Sequence, residues 1–335
     1  MVLDLIKELK DKIKIKLFVI KKNKGSIYDK EAKRLGIEII YLNQMFKIFS
    51  FLTTIKLFKE LKRYKPDIIH THLKASTYVY FYYIFQKNFK WIHTVHTLAN
   101  VDTKIFRRIL FKRLYNNLKI TLVAVSNTVK ESIYALYKNA NCITIYNGID
   151  IKKFNSEFLN NDINIISIGR FSKVKNHEYM LEELKDVITY VNKVYLIGDG
   201  KLKGKINRLI KKYQMEDKIV IIKYTNRIKK YLQDSSIYIS TSKYEGMSLA
   251  IIEALASGLI VISSVASKEL VVNNYNGFLI NLEKGELKDK LLYVIENFEK
   301  LNELRSNARR LGLSLSSKNM ANQYLNLYLE EELWK

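Results

Sequence analysis

Short runs of β-branched and aromatic residues alternate along this chain with longer stretches whose apolar residues recur at helical spacing. This alternation is typical of βα units built around a mostly parallel sheet. In the first half it predicts strands over 13–20, 37–42, 67–72, 91–97, 120–126 and 143–146. It predicts helices there over 45–64, 77–86, 103–118 and 127–137. In the second half it predicts strands over 164–169, 194–198, 219–222, 237–241 and 259–263.

The strand and helix rhythm starts again after residues 147–150, Asn-Gly-Ile-Asp. A length of 335 residues fits two domains, and we interpret this short segment as a tight hinge because the sequence shows no proline-rich or low-complexity linker. Two doubly wound α/β domains are therefore expected. Ligands of such sheets bind at the carboxyl ends of the strands, so the sequence predicts a site in a cleft that the two domains face across.

Composition excludes several classes of protein. With 48% hydrophobic and 27% charged residues, the chain is neither disordered nor fibrous. Its one cysteine, Cys142, cannot form an intrachain disulfide or a multi-cysteine metal site. No apolar run is as long as a membrane span, and charge interrupts the leucines of the first ten residues. We therefore expect a cytoplasmic protein.

The charge of the chain is unevenly distributed. The net charge is +24, and residues 1–150 carry 28 Lys or Arg against 11 Asp or Glu. An AT-rich genome explains abundant lysine but not this asymmetry, which indicates an anionic partner for the first half. Because the cations are interleaved with leucine and isoleucine at helical spacing, an anionic membrane surface is favoured over nucleic acid. Residues 103–115 are the first candidate for this contact and 45–64 the second, although both helices could simply show charge to water.

The segment 241–258 is the most informative for chemistry. It predicts a strand end, a loop with Gly246, and a short helix that Gly258 ends. Gly246 would let a ligand approach the backbone, and the free amides of Met247, Ser248 and Leu249 would form an anion site suited to a diphosphate. Glu245 and Glu253 could accept hydrogen bonds from sugar or ribose hydroxyls, or could be ordinary exposed helix residues.

Two further strand ends in the second half carry candidate residues. The strand 164–169 leads to Arg170 and Lys175, which could balance the charge of a diphosphate or could be surface cations. The strand 194–198 ends in Gly198-Asp-Gly, a tight turn beside a nucleoside or a plain turn. It is not a dinucleotide fingerprint, because a third glycine at the required spacing is absent.

Histidines mark two strand ends in the first half. Strand alternation places His93 with Trp91 on one face and His96 on the other, at the tip. We interpret His93 as a structural residue and His96 as a candidate for the site. His70 and His72 also end a strand, but the surrounding sequence makes a metal site improbable there.

In their order along the chain, these segments resemble the retaining GT-B glycosyltransferases of family 4. The resemblance is carried by Asn147-Gly-Ile-Asp, Gly169-Arg-Phe with Lys175-Asn, Gly198-Asp-Gly and Glu245-Gly-Met-Ser-Leu-Ala-Ile-Ile-Glu253. It implies a Rossmann-like acceptor domain over 1–150, a Rossmann-like nucleotide-sugar donor domain over 151–315, and a final helix over 316–335 that packs back towards the first domain. It also implies transfer from a nucleotide-diphosphate sugar, with retention and without a metal or other cofactor.

The resemblance also assigns roles to single residues. His96 and Glu245 match the catalytic pair beside the transferred sugar, and Ser126 matches a strand-end serine less firmly. Matches to the donor-binding residues are Arg170, Lys175, Gly198, Gly246, Met247, Ser248, Leu249 and Glu253. The implied partners are a nucleotide sugar, in particular a UDP-sugar, and a glycan or lipid-linked acceptor of cell-surface polysaccharide synthesis. A catalytically silent partner subunit and a sugar-nucleotide epimerase remain as alternatives.

The chain departs from the family pattern at three places. Ile260 stands where proline is usual, and residues 264–269 lack the frequent Asp-x-Gly-Gly. Residues 2–9 look like the family's first helix, so the first strand and its glycine loop are missing. That strand is central in a doubly wound sheet, so its neighbours should lack a partner or close up. The sequence thus predicts a truncated chain or a misassigned start, with weak activity.

Overall fold

The computed structural model describes residues 1–44, 51–102, 111–112, 114–116, 120–154, 162–223, 225 and 227–330. The chain divides into two compact units. Unit 1 comprises Met1–Asn147 with Ser317–Lys335, and unit 2 comprises Gly148–Ser316. No helix within the described ranges is both long and apolar enough to span a bilayer.

Strands and helices alternate through both units. The strands are β1 (Lys16–Lys21), β2 (Glu38–Gln44), β3 (Ile68–His72), β4 (Lys90–Val95), β5 (Ile120–Ala124), β6 (Cys142–Thr144), β7 (Asn164–Ile168), β8 (Lys193–Ile197), β9 (Ile219–Ile222), β10 (Ile237–Ser240), β11 (Ile260–Ser264) and β12 (Phe278–Ile280). The helices are α1 (Val2–Leu9), α2 (Ile27–Arg34), α3 (Phe51–Tyr64), α4 (Ala75–Phe85), α5 (Ala99–Asp102), α6 (Asn127–Leu136), α7 (His177–Leu184), α8 (Lys203–Lys212), α9 (Ile228–Gln233), α10 (Leu249–Ala256), α11 (Glu286–Glu296), α12 (Asn302–Ser314) and α13 (Ser317–Leu329).

Unit 2 contains one parallel sheet of six strands in the order β12-β11-β10-β7-β8-β9. Within the unit this is the doubly wound order, in which the first strand is central and the direction of winding reverses beside it. The central strands β7, β10 and β11 are mostly apolar and almost wholly buried, as expected for a parallel sheet with helices on both faces. Their side chains join helix residues such as Leu181, Ile206 and Leu291 in one buried core. The carboxyl ends of β7, β8, β10 and β11 consequently lie along one edge.

Unit 1 contains two separate parallel sheets. One pairs β1 with β2, and the other has the order β3-β4-β5-β6. Across the described residues no strand pairs with both β1 and β3. The two sheets are therefore not joined between β1 and β3, and β1 has not moved inward to pair with β3.

The last helix, α13, belongs to unit 1. With α1 it covers the sheet, and Leu9, Ile92, Val123 and Tyr324 share one buried cluster. The buried ammonium of Lys90 donates hydrogen bonds to the carbonyl oxygens of Leu327 and Glu330, the latter over 3.2 Å. These bonds satisfy carbonyls at the end of α13 that the helix itself leaves unpaired.

Most predicted elements are present with ends shifted by one or two residues. The first predicted strand, 13–20, was wrong at its start, because Ile13 N donates to Leu9 O in the turn that ends α1. The short strand β12 was missed. The predicted helices 45–64 and 103–118 lie partly outside the described residues.

Candidate functional site

Two loops of unit 2 are joined at the carboxyl edge of the sheet. Thr241 Oγ1, just after β10, donates to the carbonyl oxygens of Lys175 and Asn176 over 3.0 and 3.1 Å. Lys243 N donates to Val174 O over 2.8 Å. Since β7 pairs with β10, the loops that follow these strands are neighbours. The bonds fix the backbone on both sides of Lys175.

Lys175 and Glu245 form an ion pair between these loops. Both side chains are partly exposed, at 23% and 15% of their maximum. Gly169 lies against the aliphatic part of Lys175, where an added Cβ would lie 3.3 Å from Cδ and Cε. The structure therefore brings together two of the predicted residues, a cation and a carboxylate that a ligand can still reach.

Arg170 is exposed and has no hydrogen-bond or ion-pair partner among the residues that the structure describes. Its guanidinium is thus not held in place by any residue that the structure describes. Gly198 instead contacts the backbone of the loop after β7: an added Cβ would lie 2.0 Å from Gly169 O. This close packing is enough to explain why position 198 is a glycine, whether the turn is a plain one or also lies beside a nucleoside.

The helix α10 begins directly after Gly246, Met247 and Ser248, as the sequence predicted for this loop. Ser248 occupies the N-cap position, and its side chain makes no capping hydrogen bond within the described chain. The first backbone bond of the helix runs from Ile252 N to Ser248 O. Because amides of a first turn have no intrahelical acceptor, the start of α10 can bind an anion.

Tyr238 lies in β10 beneath this loop and was not predicted. It is 1% exposed, and its hydroxyl donates to Ile168 O over 3.4 Å. Burial raises the pKa of this hydroxyl, and the carboxylates of Glu245 and Glu253 raise it further. Both predicted glutamates therefore act on one buried phenol, which places them in the same part of unit 2.

In unit 1, His96 lies just beyond β4 and contacts a histidine of the neighbouring strand. His72 Nδ1 is 3.0 Å from His96 Nε2. His93 lies on the opposite face, where its Nδ1 is 3.0 Å from Thr71 Oγ1 and its side chain is buried. His93 is thus a hydrogen-bonded core residue. Burial lowers the pKa of His96 to about 4, so its imidazole is neutral at pH 7.

The remaining candidates of unit 1 have structural partners. Ser126 is the N-cap of α6, and its hydroxyl accepts from Val129 N over 3.2 Å. His70 is bonded to Tyr328 and Thr94. In the described part of the chain, no group of three or more His, Cys, Asp or Glu side chains has the arrangement of a metal site.

Two family models match the chain, one for each half. The model for glycosyltransferase family 4 matches residues 1–153, and the model for glycosyl transferases group 1 matches residues 149–311.

Curated relatives include two bacterial enzymes. A UDP-Gal:alpha-D-GlcNAc-diphosphoundecaprenol alpha-1,3-galactosyltransferase of Escherichia coli is 29% identical over 76% of this chain and 73% of its own length. A poly(ribitol-phosphate) alpha-N-acetylglucosaminyltransferase of Staphylococcus aureus is 27% identical over 71% of this chain. The match spans only half the length of the Staphylococcus aureus enzyme.

Among solved structures, HepE of Anabaena in complex with UDP and glucose superimposes with a TM-score of 0.84. The match covers 98% of this chain and 95% of HepE at 18% identity. A glycosyltransferase of Rickettsia africae gives a TM-score of 0.79 at 22% identity, over 99% of this chain and 93% of that one. At identities this low, the structural matches are evidence for the fold alone. They confirm the predicted α/β class with two Rossmann-like domains of the GT-B type.

Proposed function

Because the chain belongs to the glycosyltransferases of family 4 and group 1, we propose that it transfers a sugar from a UDP-sugar to a glycan or lipid-linked acceptor. The transfer retains the anomeric configuration and serves the synthesis of cell-surface polysaccharide. The observation that carries this proposal is the Lys175–Glu245 ion pair beside the start of α10. It brings a cation and a carboxylate close to a helix start of the kind that can bind an anion.

The relatives support the classes of donor and acceptor. The Escherichia coli enzyme is named for UDP-Gal and a diphosphoundecaprenol acceptor, and HepE was solved with UDP. The Staphylococcus aureus enzyme is named for poly(ribitol-phosphate). The UDP of the first two proteins, together with the helix start of unit 2, favours a nucleoside diphosphate as the leaving group.

In the proposed reaction, negative charge develops on the diphosphate as its bond to the sugar breaks. Lys175, Arg170 and the first amides of α10 would stabilise that charge, so no separate metal ion is required by the proposal. Glu245 holds Lys175 and would face the donor sugar, while Glu253 would accept hydrogen bonds from the ribose. His96 would also contact the transferred sugar.

Lys175→Ala and Glu245→Ala test this mechanism. Removing one preorganised electrostatic contact costs roughly 10²- to 10³-fold in rate, so each variant should lose at least that much transfer from UDP-sugars. Transfer is measured with radiolabelled donors and an undecaprenyl-diphosphate-linked acceptor. The anomeric configuration of the product, read by NMR, tests retention.

Lys173→Ala is the matched control, because Lys173 is an exposed lysine two residues from Lys175. It should transfer at the wild-type rate. Wild-type rates in both Lys175→Ala and Glu245→Ala would contradict the proposal, as would loss of all activity in EDTA. Epimerisation of the donor without transfer would assign the chain to another reaction.

We also propose that unit 1 binds the cytoplasmic face of an anionic membrane. The first candidate, 103–115, lies mostly outside the described residues. The second is supported by the exposed face of α3, which begins with Phe51 and Leu52 at 70% and 77% exposure. It continues with exposed Lys56, Lys59 and Lys62, while Leu57 and Leu61 are buried. Apolar side chains followed by cations suit a lipid headgroup region.

Lys59→Glu combined with Lys62→Glu should weaken binding to phosphatidylglycerol vesicles. Each basic residue near an anionic surface contributes about 1 kcal/mol, so the double variant should lower the partition coefficient at least tenfold at low salt. Co-sedimentation measures it. Lys229→Glu with Lys230→Glu, exposed lysines of α9, is the control and should lower binding less. Equal losses in both pairs would reject α3 as the contact.

A further inference from the structure

We propose that His72 is a positioning residue that holds the imidazole of His96 and ties the tautomer of His96 to its own. The pair is defined by the 3.0 Å contact between His72 Nδ1 and His96 Nε2. This inference rests on the proposed function in one respect, which is that His96 contacts the transferred sugar.

Strand pairing explains why the two histidines meet. β3 and β4 are parallel neighbours, and His72 is in register with Thr94. Register partners of a parallel pair point to the same face, and alternation returns His96 to that face two residues later. The contact therefore arises from the backbone of two adjacent strands and not from a flexible loop alone.

The ring of His72 is confined by a second imidazole. The His70 and His72 rings have centroids 4.2 Å apart. Both nitrogens of His70 are bonded: Nδ1 lies 2.7 Å from Tyr328 Oη, and Nε2 lies 2.7 Å from Thr94 Oγ1. Thr94 Oγ1 is in turn 2.9 Å from Tyr324 Oη. His70 cannot rotate without breaking these bonds, so its ring is held in place and restricts the movement of the His72 ring beside it.

Each ring of the pair carries a single proton. Burial lowers the pKa of His72 well below its usual value and that of His96 to about 4, so both are neutral at pH 7. In a bond between two neutral imidazoles, one nitrogen must donate and the other accept. Neither His96 Nδ1 nor His72 Nε2 has a hydrogen-bond partner among the described residues.

Two arrangements follow, and each fixes what His96 can do. When His72 Nδ1–H donates to His96 Nε2, the proton of His96 is on Nδ1 and can be donated to a sugar oxygen. When His96 Nε2–H donates to His72, Nδ1 of His96 is bare and can accept from a sugar hydroxyl. His72 thus lets His96 present either a donor or an acceptor without acquiring a charge.

Nitrogen NMR of the full-length protein tests the pair directly. The chain has five histidines, so the imidazole spectrum can be assigned by substitution. In His72→Phe, which keeps a ring against His70 but has no nitrogen, the Nε2 signal of His96 should shift. In His72→Asn the amide can replace Nδ1, and the signal should stay close to wild type. His177→Leu, in unit 2, is the control and should leave His96 unchanged.

Kinetics separate positioning from general stability. Loss of one hydrogen bond that orients a reacting group should lower kcat about tenfold in His72→Phe, while KM for the donor changes little. His72→Asn should recover most of kcat. In the His72→Phe background, His96→Ala should cost less than it does in wild type, because the two side chains act as a unit.

The two proposals fail in different ways. Unchanged His96 signals and unchanged kcat in His72→Phe, in a protein that transfers sugar, overturn the role of His72 and leave the proposed function intact. A wild-type protein that transfers no sugar contradicts the proposed function. The NMR comparison then still decides the pair, since a shifted His96 signal supports it and an unshifted one overturns it.

Discussion

At the scale of single residues, Gly198 packs closely against backbone at the carboxyl edge of the unit 2 sheet. A Cβ there would lie 2.0 Å from Gly169 O, and backbone cannot yield as a flexible side chain can. Gly198→Ala should therefore destabilise unit 2 by about 1–3 kcal/mol, the usual cost of overpacking. Urea unfolding followed by circular dichroism measures the change.

Gly204 provides the matched control for this substitution. It lies in α8, where an added Cβ would have no atom within 4 Å. Alanine forms helix better than glycine by up to about 1 kcal/mol, so Gly204→Ala should be neutral or stabilising. If both variants unfold at the same urea concentration, the close approach at Gly198 does not govern stability.

The sequence identified candidate residues, but it did not predict which of them contact each other. Lys175 and Glu245 were both predicted, but their ion pair depends on β7 lying beside β10, although the residues are 70 positions apart. Tyr238 was missed because a tyrosine within an apolar strand indicates only core. His72 could have been found, since alternation along two parallel strands places it on the face of His96.

At the scale of elements, His177 opens α7 and makes the stability of this helix depend on pH. It is 3% exposed, its Nδ1 has no partner in the described chain, and burial lowers its pKa to about 4. Between pH 6.5 and about 4 the unfolded chain therefore binds a proton that the folded chain does not. Stability falls as pH falls through this window, by about 1.4 kcal/mol per unit from this residue.

His177→Leu removes this contribution. The difference in unfolding free energy between the variant and wild type should change by about 3 kcal/mol in favour of the variant from pH 7 to pH 4. Urea unfolding of unit 2 at a series of pH values checks it. Parallel pH profiles for the two proteins would show that His177 is protonated at its usual pKa in the folded state.

Element boundaries were predicted correctly where the sequence carries clear start or stop signals, such as helix-capping residues. The strand 219–222 agrees in full, and α6 begins at Asn127 as predicted because Ser126 caps it. The start of β1 was misplaced because Ile13 and Ile15 suit a strand by residue type, whereas in the structure they precede β1 and pack against the buried cluster that α1, α13 and the sheet share. β12 was missed because three residues are too few for a pattern of period two.

At the scale of the whole molecule, the doubly wound architecture followed from the alternation of strands and helices. The identity of the family needed more, namely the order of several short segments along the chain. Composition and pattern did not predict that the unit 1 sheet is divided between β1 and β3; that expectation came from the resemblance to the family.

The chain also passes between the units twice, since α13 returns to unit 1 after unit 2 is finished. During synthesis on the ribosome, residues 1–147 emerge without the helix that buries Ile92 and Val123. Unit 2 emerges whole and can fold as soon as it leaves the exit tunnel. Unit 1 is thus translated first but completed last. Until α13 is made, the nascent chain leaves the apolar surface of unit 1 uncovered. Making the intervening residues, about 170 of them, takes roughly 10–30 s at ordinary rates of translation. Chaperone occupancy of arrested nascent chains should be concentrated in that interval.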